Sequence, residues 1–339
     1  MSTKKSGCLW VIMGVVLAMS LFLNLALVSA RRFGGGGGNR AAVLVKKPRP
    51  ERVYQERTVV KGDGDGRIAL IRLNGLISSS IRGRGEGSMV DDIKAQLEQA
   101  VEDPDIKAIV LAIDSPGGEV TASDILYNAV RRARDKKPVV VSMGSLAASG
   151  GYYTACGANW IIANETTFTG SIGVIIQTFR YNDLLNKIGL EPVTFKSGAF
   201  KDMLAGTREM TPAEKEYVQK MVMETYGKFV GIVARERKLS EESLRNGVAD
   251  GRILTGKDAF EAKLVDQLGE IEAAYEKARE LGDAPGASVI TYEEPFRFGQ
   301  LFRFLGSESR VEIQVPTPFG GIPVLEPGRA YFLPSICVP

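Results

Sequence analysis

The chain has 339 residues, 44% of them hydrophobic and 24% charged, the balance of an ordinary globular protein. Its 43 basic and 40 acidic residues leave a net charge of only +3, and it contains no histidine. A Ser-His-Asp or Cys-His catalytic group and a histidine-ligated metal are therefore excluded, and an activated serine would need another base, for which lysine is the known substitute. Cys8, Cys156 and Cys337 are too scattered for a disulfide framework or a zinc site. Cys8 borders an apolar run and is open to acylation, whereas Cys156 is expected to be a buried free thiol. The local excess of positive charge (Arg31, Arg32, Arg40, Lys46, Lys47, Arg49, Arg52, Arg57) suits lipid head groups beside a membrane span. No nucleic-acid signature accompanies it, so nucleic acid is not an expected partner.

After a short flank (residues 1–8), Leu9–Ala30 runs without a charge. Its roughly 22 residues would make roughly 33 Å of helix, enough to cross a bilayer. Val28-Ser29-Ala30 resembles a signal-peptide cleavage site, but Arg31 and Arg32 follow at once, so an uncleaved anchor is expected and a cleaved signal peptide is the alternative. Charge on both sides leaves the orientation open. The glycine run Gly34–Gly38 opens a basic, turn-rich linker over 31–66, and the folded domain is expected over 67–286.

Within that domain strands and helices alternate. Ile68–Leu73 reads as a strand, Val90–Val101 as a helix, and Ala108–Ile113 as an apolar strand of a covered parallel sheet. Thr121–Arg134 is a helix, and Pro138 opens a strand over Val139–Ser142. Trp160–Ala163 and Val174–Ile176 read as strands, and Tyr181–Ile188 as a helix. Pro212–Arg235 is a helix with Thr211 as its cap. Short helices at 239–247 and 256–263 flank a strand at 252–254, and Ile271–Leu281 is the last helix. The pattern is a βα-alternating α/β domain with right-handed crossovers. Residues 287–339, apolar and rich in proline, form a C-terminal extension expected to dock on this protein or a partner.

Two stretches carry chemistry. Pro138-Val139-Val140-Val141 feeds Ser142-Met143-Gly144-Ser145-Leu146-Ala147-Ala148-Ser149-Gly150-Gly151-Tyr152-Tyr153, a strand, a turn of small residues and a helix. A serine there sits under free backbone N–H groups able to hold an oxyanion. Asp114-Ser115-Pro116-Gly117-Gly118 is a second such turn, and one of its glycines would supply the other half of the hole. Tyr152 and Tyr153 are expected in the core.

Ser-Pro-Gly-Gly at 115–118, Ala-Ala-Ser-Gly-Gly-Tyr-Tyr at 147–153, Thr-Gly-Ser-Ile-Gly-Val at 169–174 and Lys-Ser-Gly-Ala-Phe-Lys-Asp at 196–202, in this order, resemble the signal peptide peptidase A (SppA/protease IV) family over about Ile68–Leu281. The resemblance implies a crotonase/ClpP-like fold, a repeated ββα spiral, behind a single N-terminal transmembrane helix. It implies a serine endopeptidase with Ser149 as nucleophile, Lys201 as general base and Ser171 orienting the lysine. The backbone of Gly150 and of Gly117 or Gly118 would form the oxyanion hole. It further implies remnant signal peptides as substrates and no cofactor. It implies, too, a homo-oligomer, an octamer or another ring, in which serine and lysine meet across a subunit boundary. The location implied is the bacterial cell membrane, with the catalytic domain outside the cytoplasm. A catalytically inactive oligomeric scaffold and a crotonase-like acyl-CoA enzyme are the alternatives.

A lysine must be neutral to accept a proton, yet its ordinary value is about 10.4, and bringing it near 7.5 costs about 4 kcal/mol. Desolvation would do this, and Val193, Phe195, Ala199, Phe200, Met203 and Leu204 surround Lys201 in sequence. Asp202 would oppose it, so its side chain is expected to point elsewhere.

Overall fold

The computed structural model describes residues 54–79, 88–293 and 331–332. The expected anchor over 9–30, the short flank before it and most of the C-terminal extension lie outside the described residues. Among the described residues no helix is long and apolar enough to cross a membrane.

In chain order the elements are β1 (Gln55–Val60), β2 (Arg67–Asn74), α1 (Met89–Glu102), β3 (Ile106–Ser115), β4 (Gly118–Glu119), α2 (Val120–Arg134), β5 (Val139–Ala148), α3 (Gly150–Ala155), β6 (Trp160–Ala163) and β7 (Phe168–Gly170). Then come α4 (Asn182–Lys187), α5 (Pro212–Arg237), α6 (Glu241–Arg245), β8 (Ile253–Thr255), α7 (Gly256–Glu261), β9 (Gln267–Leu268), α8 (Ile271–Leu281), β10 (Ser288–Glu293) and β11 (Tyr331–Phe332). The main sheet runs β1-β10-β2-β3-β5-β6-β9, parallel from β10 onward. β7 pairs with the far end of β5 and with β8.

Successive side chains of a strand face opposite ways, and here both faces are covered. Ala69, Ile71 and Leu73 of β2 join Ile109, Leu111 and Ile113 of β3 in a cluster closed by α1, α2, α3 and α5. Ile68 and Leu70 join Ala108, Val110 and Val140 in a second cluster closed by Ala274, Tyr275 and Ala278 of α8. Helix α1 begins at a capping box in which Ser88 and Asp91 exchange bonds, and α5 does the same through Thr211 and Glu214.

Four boundaries differ from the sequence reading. The stretch assigned to the linker contains β1, antiparallel to β10, and Tyr54 before it is 5% exposed. Charged Glu56 and Arg57 mask the strand pattern, yet β-branched Thr58, Val59 and Val60 suit an edge. The domain also reaches past residue 286, because β10 is an interior strand of the sheet. Of the strand expected at 174–176, only Ile175 pairs, with Tyr331. β5, in turn, runs six residues past the expected end at Ser142 and carries the sheet up to Ser149.

Candidate active site

β5 ends at Ala148 beside Gly170 of β7, and the chain turns sharply at Ser149, with φ 52° and ψ −113°. Such a backbone is costly for a residue with a side chain and persists only where its surroundings dictate it. They do: the Ser149 N–H donates to the Gly170 carbonyl at 2.8 Å, and the Ser149 carbonyl accepts from Tyr153 N–H at 2.8 Å. The side chain is fully buried, and among the described residues its Oγ has no hydrogen-bond partner. Leaving a buried hydroxyl unmatched costs about 1–3 kcal/mol, so this oxygen is held ready for something not of the chain's own core.

Helix α3 begins at the next residue. A Cβ on Gly150 would stand 2.4 Å from Ser123 Oγ and 3.1 Å from both Gly117 Cα and Gly118 N. The two glycine turns are thus pressed together, and only glycine allows it. Gly117 takes φ +99°, in the region that favours glycine. Its N–H donates to Ser115 Oγ at 3.0 Å, while that hydroxyl donates to the Gly75 carbonyl at 2.6 Å. The Gly117 N–H is thus committed within its own turn, whereas Gly118 pairs with Phe332 of β11. Ser115 was visible in the sequence only as part of its turn, and its anchoring role required the coordinates. The same holds for Glu119, whose buried carboxylate accepts from Ser78 Oγ at 2.6 Å and fixes the strand that carries Gly118.

Ser171 leaves β7 at the same level as Ser149 leaves β5. It too has a positive φ, 50°, is 2% exposed, and donates its N–H to the Arg252 carbonyl at 2.8 Å. The structure therefore brings Ser149, Gly150, Gly117, Gly118 and Ser171 together. It does not bring Lys201 to them. That residue lies on the exposed segment between α4 and α5. Among the described residues no hydrogen bond or ion pair joins its amine to either serine. Of the apolar residues expected around it, Val193 is 75% and Phe195 96% exposed, while Met203 and Leu204 are half-buried. Asp202 does not face its neighbour, because Arg208 and Lys196 hold both carboxylate oxygens. Those bonds keep its carboxyl well below the usual range.

Tyr152 and Tyr153 are core residues. Tyr152 OH donates to the Leu264 carbonyl and Tyr153 OH to Asp124, and burial raises both phenols. Burial likewise pushes the Cys156 thiol up to about 12, which makes it an inert packing group.

A further strand crosses this site. Tyr331 exchanges both backbone bonds with Ile175 at 3.1 Å, four residues beyond Ser171. On its other side β11 is antiparallel to β4, with Phe332 opposite Gly118. Adjacent residues of a strand direct their polar groups to opposite sides, so Phe332 turns its own toward Gly118. Tyr331–Phe332 of the C-terminal extension thus dock on this chain, between Ile175 and the 117–118 turn.

The peptidase family S49 model matches residues 131–284. Protease slr0021 of Synechocystis sp., a provisionally named protein, is 39% identical over 233 residues, covering 68% of this chain and 80% of its own. A protein of Enterococcus faecium provisionally named signal peptide peptidase SppA is 35% identical over 248 residues, 70% of each chain. The chain belongs to peptidase family S49. It is a serine protease of the SppA type. The Clp protease model matches residues 79–166 of this S49 chain, so the α/β fold is ClpP-like. A mutant ClpP1 of Listeria monocytogenes superposes with TM-score 0.39 at 16% identity, over 59% of this chain and 91% of its own.

Proposed function

We propose that this S49 protease works through a serine–lysine dyad. Ser149 is the nucleophile, Lys201 the general base, and Ser171 the hydroxyl that orients the lysine. The neutral Lys201 amine takes the Ser149 proton as Oγ attacks the peptide carbonyl carbon. The oxyanion accepts from the N–H groups of Gly150 and Gly118, the amine returns the proton to the leaving nitrogen, and water then releases the acyl group. The observation that carries this reading is the Ser149 side chain: buried, unpartnered, held at φ 52° and set against the glycine pair.

Lys201 is supplied by a neighbouring protomer of a ring, an octamer by resemblance. Support comes from the segment that bears it, where Phe179, Leu184, Ile188, Leu190, Val193 and Phe195 are all more than half exposed. Apolar area on that scale marks an interface, and its burial would strip water from the amine. Substrates are extended apolar peptides, remnant signal peptides among them, laid as a strand between β4 and Ile175. The C-terminal strand occupies that path and so competes with substrate. The 9–30 run anchors the protein in the bacterial membrane with its catalytic domain outside the cytoplasm.

A fluorophosphonate probe tests the dyad. Labelling at Ser149 in the full chain is expected to vanish in Ser149→Ala and in Lys201→Ala. Undiminished labelling of the assembled Lys201→Ala protein would remove Lys201 as the base.

A further inference from the structure

Asp202, the residue next to Lys201, is the chemical difficulty of that segment: a carboxylate beside an amine favours the ammonium form, which is useless as a base. The structure meets it with one guanidinium. Arg208 donates from Nε to Asp202 Oδ2 at 2.9 Å and from Nη2 to Oδ1 at 2.6 Å. The same group reaches Glu214, from Nη2 to Oε1 at 2.5 Å and from Nη1 to Oε2 at 2.9 Å. Glu214 is 2% exposed, and it is fixed in the first turn of α5 by accepting the Thr211 N–H at 2.8 Å. Arg208 Nη1 also donates to the Glu209 carbonyl at 2.9 Å. The remaining charges nearby are Lys196, 2.8 Å from Asp202 Oδ1, and Glu209, paired with Arg180 and Lys215. A planar, permanently charged fork is the group suited to bridging two carboxylates, which a lysine's point charge does not do.

We propose that Arg208 is a positioning residue for the peptidase reaction: it ties Asp202 to the buried Glu214 carboxylate in the first turn of α5 and so keeps the Asp202 carboxylate off the Lys201 amine. The proposal rests on Lys201 being the base. Arg208 is no catalytic residue, since it acts only through Asp202.

The test is the pH profile of kcat/KM on a short apolar peptide, measured for the full-length protein and for Arg208→Ala, Asp202→Asn and the double variant. Arg208→Ala is expected to move the acidic limb up by about one pH unit and to lower kcat/KM about tenfold at neutral pH, since one unit is a tenfold change in the neutral fraction. In the Asp202→Asn background the same arginine substitution has no charge to release, so the limb stays at its wild-type position. Arg208→Lys, which keeps the charge without the fork, replaces Arg208→Ala if the latter fails to fold, and is expected to displace the limb in the same direction. A limb that stays put when Arg208 is changed, or one displaced equally in the Asp202→Asn background, overturns the proposal. Full turnover by Lys201→Ala would instead sink the dyad itself, so the two failures are told apart.

Discussion

The serine and the lysine stand in opposite kinds of surroundings. Around Ser149 every neighbour is fixed: β5 and β7 hold its backbone, two glycine turns press on its flank, and Tyr153 beneath it packs edge-on against Phe229 at 4.9 Å and Tyr127 at 5.5 Å. Around Lys201 little of the chain is covered, and α5, which follows, buries its C-terminal half through Phe229, Val230, Ile232 and Val233 while Tyr217 and Met223 of its first half stay open. One half of the chemistry is finished within a single chain. The other half, on the proposed dyad, is presented outward, internally braced by Arg208, and needs a second surface to complete it. On the dyad proposed above, a lone protomer is expected to be inactive and assembly to switch it on.

Substitutions sharpen this contrast. Ser149→Ala and Lys201→Ala should each reduce turnover by roughly 10⁴-fold or more, and the double variant should be no worse than either, because members of one catalytic unit are not additive; an additive pair would argue for separate roles. Gly150→Ala, which drives a methyl into Ser123 and the 117–118 turn, should cost about 10²–10³ in kcat, the usual loss for a spoiled oxyanion donor. Phe229→Ala empties the core under the serine and should destabilise by about 3–5 kcal/mol, read by denaturant unfolding. Phe195→Ala is its counterpart on the open segment. It should leave the unfolding of the protomer nearly unchanged while shifting the protein to smaller species in sedimentation, and a large loss of protomer stability would break the comparison. Truncation at Ser307 should raise the rate on a short peptide several-fold by freeing the groove, whereas equal rates would show that the C-terminal strand does not compete. The smallest effect is on acid stability. Arg208 and the Thr211 N–H hold the Glu214 carboxyl at about 2. Its contribution is complete above about pH 4.5 and is lost as the pH falls toward 2. Glu214→Gln should flatten the fall of Tm across that window.

Much of the serine half was legible in the sequence, because backbone geometry there is written in residue type. Valine runs mark covered strands, and the glycine pairs mark turns that admit no side chain. What the sequence did not show was that the Ser115 hydroxyl engages Gly117 from within the same turn. Strand β7 was missed because three residues, Phe168–Gly170, are too few for a period to emerge. The edge strand β1 was hidden by its charges. On the lysine half, sequence order put apolar residues beside Lys201, but proximity along the chain is not burial. Phe195 and Val193 stand open.

The most direct measurement is co-expression of Ser149→Ala with Lys201→Ala chains, followed by purification of the mixed assembly and assay on a short peptide. Each variant alone is expected to be inactive, but a Lys201→Ala protomer keeps its serine and, on the proposed dyad, can receive a lysine from a Ser149→Ala neighbour. The account predicts that the mixed assembly recovers a clear fraction of the wild-type rate. A mixed assembly as inactive as its parents would mean that the two groups do not meet across protomers, and would contradict it.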